Sequence, residues 1–236
     1  MLPTFPLQMM NQLANLQQEM RACRLCAAAG HDIVPGAVFQ GGAGAEVLLI
    51  GQAPGVTEVA AKRPFNAGSG RRLFEWLGAA GWEEPDFRAR HYMTAVTKCY
   101  PGRGGNGKGD RVPSRAEQAL CRPFLEREMA LVNPRLIIPV GGLAIRLFYP
   151  AGARLHDIIG SAAYFPAASL ANPVNFSLRQ ARRLRAFDAD LPRTGRWLVP
   201  LPHPSGASLW HNRPENRALI DQAVQILAGV RQAWGL

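Results

Sequence analysis

Two sets of residues in this 236-residue sequence have the types and spacing for chemistry. The first is the cysteines. Cys23 and Cys26 form a Cys-x-x-Cys pair, and Cys99 and Cys121 follow after a long gap. Four thiolates can hold an iron–sulfur cubane or one tetrahedral zinc. Four unrelated buried thiols are the alternative, because a free cysteine packs as a small hydrophobe. A cytosolic chain of this size seldom uses disulfides, so the spacing points to metal. The second set stands where apolar runs stop. "AEVLLIGQAPG" breaks at Gly51, Gln52, Ala53, Pro54 and Gly55, and "WLVPLPHPSG" ends in His203, Pro204 and Ser205. Glycine allows backbone to approach a ligand closely. Histidine carries or donates a proton near neutral pH. Phe65, in Arg-Pro-Phe, offers an aromatic face; an ordinary core phenylalanine is the alternative. His31, His91, His156 and His211 sit in no motif and read as surface residues.

The elements that must position these residues alternate. Residues 7–22 read as a helix, with Leu7, Met10, Leu13, Leu16 and Met20 at helical spacing. Residues 27–44, rich in Gly and Ala, read as loop. A buried strand runs into the Gly51 turn, and "GSGRRLFEWLGAAG" is a helix closed by Gly81. "HYMTAVTKCY" is a second strand, and residues 101–113 form a Gly-rich basic loop. Ser114 and Glu117 make a capping box for a helix over about 115–131 that carries Cys121. "PRLIIPVGG" is a third strand, followed by a short helix. Residues 152–196 are poorly periodic, with "IIGSAAYFP" as a possible strand. "WLVPLPHPSG" is a further strand, and an amphipathic helix closes the chain. The expectation is one α/β domain with a mostly parallel sheet, spanning 1–236. Ligands of such sheets bind beyond the carboxyl ends of the strands, where residues 51–55, 98–104 and 203–208 fall.

The formal net charge is +10 and the pI about 10.3. Arginine supplies most of the positive charge, and its planar fork suits phosphate. Nucleic acid is the first candidate partner and an acidic membrane surface the second. A genome that favours Arg and Ala is the alternative source of the charge. No apolar run is long enough to span a membrane. No basic start followed by an apolar stretch marks a secretory signal, so the cytoplasm is the expected location.

Three stretches together resemble the iron–sulfur, or family four, uracil-DNA glycosylases. "GQAPGVTEVAAKRPF" resembles their first motif and "HPSGASL" their second. "TKCYPG" with "PSRAEQALCRPFL" resembles the middle segment that carries the second pair of cluster cysteines. The resemblance covers roughly residues 20–150 and 197–230, and the basic stretch 172–196 lies outside it as an insertion. It implies a three-layer α/β/α sandwich around a short parallel sheet. It also implies removal of uracil from single- or double-stranded DNA by a monofunctional, monomeric enzyme that leaves an abasic site. Cys23, Cys26, Cys99 and Cys121 would hold a structural [4Fe-4S] cluster, with zinc the weaker alternative. His203 would donate to the uracil carbonyl as charge develops, Phe65 would stack on the base, and Ser205 would fix the turn. Gly51, Ala53, Pro54 and Gly55 would line the base pocket. Leu209 and Trp210 correspond to the wedge that fills the gap left by a flipped base, or else to core anchors. Arg103, Lys108 and Arg111 would meet DNA phosphates, as would the arginines of the insertion, unless these only form a solvated face.

The departures from the family are specific. Gln52 stands where the family has Glu, and Val59 replaces a second acidic position; Glu58 matches a family carboxylate. A glutamine cannot be a general base. Gln52 is left to orient a water, with help from Glu58 if it reaches the pocket. Ala95 replaces the asparagine that reads the uracil edge, and alanine has no side-chain donor or acceptor. Asn66 is the nearest polar substitute by sequence, or a turn residue. A related class bonds covalently to DNA through a histidine in the middle loop. Here the loop has none, and Asp110 falls near that place, so stable covalent capture is not expected. Two readings stay open beside uracil excision: a glycosylase for another deaminated base, and a catalytically weak nucleic-acid-binding member of the fold. A nucleotide enzyme using "GQAPG" as a phosphate loop lacks the P-loop Lys and Ser/Thr and the Rossmann glycines.

Overall fold

A computed structural model describes residues 7–105, 109–169, 178–206 and 210–236. Helix α1 (Leu7–Ala22) follows the predicted stripe only in part. Leu13, Leu16 and Met20 are buried, but Leu7 and Met10 are 72% and 48% exposed. A single turn, α2 (Leu25–Ala28), carries Cys26. Strand β1 (Val47–Gly51) is buried along its whole length, as a central parallel strand covered on both faces should be. The 51–55 turn leads into α3 (Val56–Ala61) and then α4 (Gly68–Ala79), which buries Leu73, Phe74 and Leu77. Gly81 takes φ +97° just beyond α4, in the predicted stop position. Next come α5 (Glu84–Arg90), β2 (Tyr92–Ala95) and α6 (Arg115–Val132). The Ser114–Glu117 capping box is formed on both sides.

The remaining elements are β3 (Leu136–Pro139), α7 (Gly142–Ile145), α8 (Leu155–Ile158), β4 (Ala162–Phe165), β5 (Arg182–Leu184), β6 (Arg196–Leu198) and α9 (Pro214–Trp234). Among the described residues six strands form one sheet, in the order β2-β1-β3-β6-β4-β5. The first four are parallel, whereas β4 runs antiparallel to both β6 and β5. The expected α/β class with a mostly parallel sheet flanked by helices is therefore what the chain adopts. Among the described residues no helix is long and apolar enough to cross a membrane.

The poorly periodic segment holds more order than its sequence suggests. Part of the basic insertion is β5, the sheet's outer strand, with Arg182 and Arg183 exposed. Charged side chains on an edge discourage further strand pairing. Arg182 pairs with Asp188 at 3.2 Å, and Arg183 lies over the Tyr149 ring. Phe187 stacks on Trp197, whose ring centroid is 5.7 Å away. Residues 170–177 of this stretch lie outside the described residues.

Strand β2 is shorter than predicted and stops at Ala95 for a local reason. Lys98 turns back, its Nζ donating to the Ala95 carbonyl at 2.6 Å, and its N–H goes to Cys121 Sγ at 3.3 Å. Lys98 Nζ also pairs with Glu128 Oε2 at 2.7 Å. Glu128 on α6 is fully buried and accepts from Tyr92 Oη and Thr94 Oγ1 as well. Two histidines expected at the surface are buried. His91 is packed by the Phe87 and Trp82 rings, and burial pushes its pKa down to about 4. His211 is 8% exposed.

Removing one partner of a buried ion pair leaves the other uncompensated. Glu128→Ala should therefore lower the unfolding free energy by about 3–5 kcal/mol in urea denaturation. Glu19→Ala, which breaks the exposed pair with Arg127, should leave the unfolding free energy nearly unchanged. Equal losses in the two variants would mean that the buried network does not carry this stability.

Candidate active site

One large pocket opens beyond the carboxyl ends of β1, β2 and β3. Its walls include Gly51, Gln52, Ala53, Pro54, Gly55, Glu58, Phe65, Ala95, Asp110, Arg111, His203 and Ser205. The chain thus brings together turns that lie about 150 residues apart in sequence.

His203 is held by its neighbours. The Ser205 N–H donates to His203 Nδ1 at 3.2 Å, and Ser205 Oγ lies 2.9 Å from the same nitrogen. A backbone N–H on Nδ1 requires that nitrogen to accept, so the ring's own N–H is on Nε2. Burial, and then His211, lower the His203 pKa, so the ring is neutral at neutral pH. Gly141, with φ +85°, makes room for it. A Cβ there would lie 2.9 Å from His203 Cδ2. Gly141 follows β3, so the strand end and the imidazole fit as a pair.

Phe65 sits in a clamped loop. Its backbone is left-handed, φ +52°, a conformation that costs a bulky residue about 1–3 kcal/mol. Glu58 accepts the N–H of Phe65 and, at 2.6 Å, that of Gly55. Arg88 donates to the carbonyls of Pro64 and Phe65, each at 2.8 Å. The Arg88 guanidinium stacks 4.5 Å from the Phe74 ring centroid and bonds Glu84 Oε1 at 2.7 Å. Gly51 lets the Phe65 ring lie against the strand end, since a Cβ there would come within 2.8 Å of Cζ. Arg88 and Gly70 were not apparent as site-shaping residues, because one is a charge on an arginine-rich helix and the other a helical glycine.

Several expected positions fall differently. Asn66 is exposed and absent from the pocket wall; its amide bonds Thr57, so the turn reading holds. Glu58 reaches the pocket, but its two oxygens hold the backbone of Gly55 and Phe65. Burial first, and the charge of Asp110 among the rest, raise its pKa above the usual carboxylate value. Arg111 lines the pocket with its guanidinium forked on Glu117 at 2.6 and 2.8 Å and on the Asp32 carbonyl. That pairing holds the Glu117 carboxyl down to about 2. Arg103 is exposed, outside the pocket wall, and bridges through its backbone to Asp110. Trp210 is half-buried against the core, which matches the anchor reading. Lys108 and Leu209 lie outside the described residues. Asp110 was not counted among the site residues; it lines the pocket, and Tyr100 Oη donates to its Oδ1 at 2.9 Å.

The four cysteines line a second pocket together with Met20, Leu25, Ile33, Leu120 and Phe124. Burial, and then the neighbouring Cys121 and Cys99, push the Cys26 thiol up to about 11. Among the described residues, no three of His, Cys, Asp and Glu stand close enough to hold one metal ion.

A family model for the uracil DNA glycosylase superfamily matches residues 38–228. The chain is 31% identical over 114 residues to a type-4 uracil-DNA glycosylase of Pyrobaculum aerophilum, covering 48% of this chain and 53% of that protein. It is 27% identical over 184 residues to one from Sulfurisphaera tokodaii, covering 70% and 78%. A third, from Archaeoglobus fulgidus, is 29% identical over 142 residues, covering 59% and 65%. The matches to the first and third span less than two thirds of those relatives' own length.

The Phe65 clamp makes a prediction of unusual sign. Alanine in place of a helical glycine ordinarily stabilises by about 1 kcal/mol. At Gly70 a Cβ would run into the Phe65 carbonyl. Gly70→Ala should therefore destabilise, by about 1–3 kcal/mol in urea denaturation. A stabilised variant would show that the loop is not pinned at this point.

Proposed function

The chain belongs to the uracil DNA glycosylase superfamily, and from that membership we propose that it flips uracil out of DNA and hydrolyses the bond between base and sugar. The observation that carries this reading is the locked tautomer of His203. Cleavage puts negative charge on the departing base and positive charge on the sugar. A neutral imidazole with its N–H on Nε2, inside the pocket, is a fixed donor for the base carbonyl. Such a preorganised donor is worth about 3 kcal/mol of transition-state stabilisation. Phe65, held against Gly51, would supply the stacking face, which contributes about 1–3 kcal/mol per base. Flipping itself costs a few kcal/mol, and a pocket with a stacking wall offsets it.

Position 95 offers the base edge no side-chain donor or acceptor. Ala95 lines the pocket without a polar side chain, the adjacent Thr94 hydroxyl is committed to Glu128, and Asn66 is turned away. This favours a second reading, a glycosylase that accepts other deaminated bases in the same pocket. The remaining positive charge, Arg103 included, suits sequence-independent contact with phosphates.

Cys23, Cys26, Cys99 and Cys121 would hold a [4Fe-4S] cluster. The donor set fits: four thiols from the end of α1, from α2, from the segment after β2 and from α6 share one pocket. Thiolates there would repel one another, a cost that bound iron offsets. A cubane binds each sulfur to a different iron, so its ligands stand farther apart than four sulfurs around one zinc. When bound, the cluster would tie the N-terminal helices to the sheet, since hydrolysis of a glycosidic bond transfers no electrons.

The test is single-turnover cleavage of oligonucleotides carrying uracil, hypoxanthine, xanthine or a thymine mispair, single- and double-stranded. Uracil release should be seen, and His203→Ala should slow it by about a hundredfold or more with DNA binding little changed. No release of any base would overturn the glycosylase reading; a His203→Ala rate equal to the parent's would remove His203 from it. Separately, protein purified without oxygen should absorb in the blue and carry about four irons per chain. Stoichiometric zinc without iron would replace the cluster with zinc.

A further inference from the structure

We propose that Asp110 is the general base of this enzyme, taking the proton from the water that attacks the sugar. This rests on the glycosylase reading and adds the group that its first motif lacks. Activating the attacking water calls for a proton acceptor near the sugar. Gln52 cannot accept a proton at neutral pH. Val59 is apolar. Glu58 has both oxygens on backbone N–H groups, where they hold the Gly55 turn and the Phe65 loop. His203 has Nδ1 committed to Ser205 and its proton on Nε2.

Asp110 is the remaining carboxylate of the pocket wall. Its Oδ1 is held by Tyr100 Oη at 2.9 Å, and Tyr100 is itself 6% exposed, so the side chain is aimed rather than loose. Among the described residues, Oδ2 has no hydrogen-bond donor. That oxygen faces the Gly-Gln-Ala-Pro-Gly turn, and a Cβ on Gly55 would lie 3.1 Å from it. The same Cβ would lie 3.2 Å from Glu58 Oε2, so the two carboxylates converge on the turn. One of them is spent on structure and the other is left for chemistry. Arg111, the next residue, does not neutralise Asp110, because its guanidinium is forked on Glu117.

The step balances without any further reactant. The bond between C1′ and the base nitrogen breaks, and its electron pair leaves with the base, met by His203 Nε2–H. The water oxygen bonds to C1′, and one of its protons passes to Asp110 Oδ2. Asp110 then returns that proton to solvent, and solvent protonates the released base.

The experiment uses the full chain on DNA carrying one uracil. Asp110→Asn keeps an oxygen for Tyr100 but cannot take a proton. Its single-turnover rate should fall by about a hundredfold, with DNA affinity and thermal midpoint unchanged. Asp110→Ala should be as slow, and added formate, a small base able to enter the vacated space, should restore part of its rate. An Asp110→Asn rate equal to the parent's overturns the proposal, as does a rate loss that follows lost affinity or one that formate does not relieve. These three outcomes leave the glycosylase reading standing. A parent that releases no base overturns both.

Discussion

Glu128 is the point on which the two pockets depend. It projects from α6 into the interior, fully buried, where Tyr92, Thr94 and Lys98 satisfy it. Each partner belongs to β2 or the segment just after it. The pair is expensive to bury and more expensive to leave half-made, so the network locks one arrangement of strand against helix. Two consequences follow. Lys98 caps the Ala95 carbonyl, ending the strand at the edge of the candidate active site. The same residue's N–H reaches Cys121 Sγ, setting the segment that carries Cys99 beside α6. Lys98 lines the cysteine pocket and Ala95 lines the base pocket, so the bond between them joins the two sites through one side chain.

The Phe65 loop shows a second kind of economy. A phenylalanine at positive φ has to be held, and here it is held from three sides: Glu58 on its N–H, Arg88 on its carbonyl, Gly51 beneath its ring. A stacking platform fixed in this way loses little entropy when a base arrives. It also explains why Glu58, an acidic residue beside the turn, is poorly placed to be a free base. Its charge is already the anchor of the loop.

The charge of the chain turned out to be less available than its sum suggests. Of the net +10, the excess resides in arginines, yet several are spent internally. Arg88 is buried under the Phe65 loop, Arg111 is forked on Glu117, Arg135 pairs with Glu46 through one nitrogen, and Arg196 is 2% exposed with its Nε on the Pro134 carbonyl. A planar fork suits backbone carbonyls and carboxylates as well as phosphates. Counting arginines therefore overstates the surface offered to DNA.

Much of the fold was legible in the sequence because its signals are local. Apolar runs ending in glycine mark strands, the Ser114–Glu117 box marks a helix start, and the spacing of Leu73, Phe74 and Leu77 marks a buried helix face. The turns at 51–55 and 203–205 could be identified as pocket walls, since parallel sheets present their strand ends on one side. What the tertiary structure alone decided was how each polar group is spent. Sequence spacing does not say that Glu58 turns back onto Gly55 and Phe65, that Arg111 folds onto Glu117, or that Asn66 closes a turn with Thr57. Nor does it reveal β5, whose basic, weakly periodic residues pair because an exposed edge of β4 is there to receive them. Side-chain type limits the chemistry a residue can do. Which chemistry it does depends on which donors and acceptors the fold has already brought within hydrogen-bond reach.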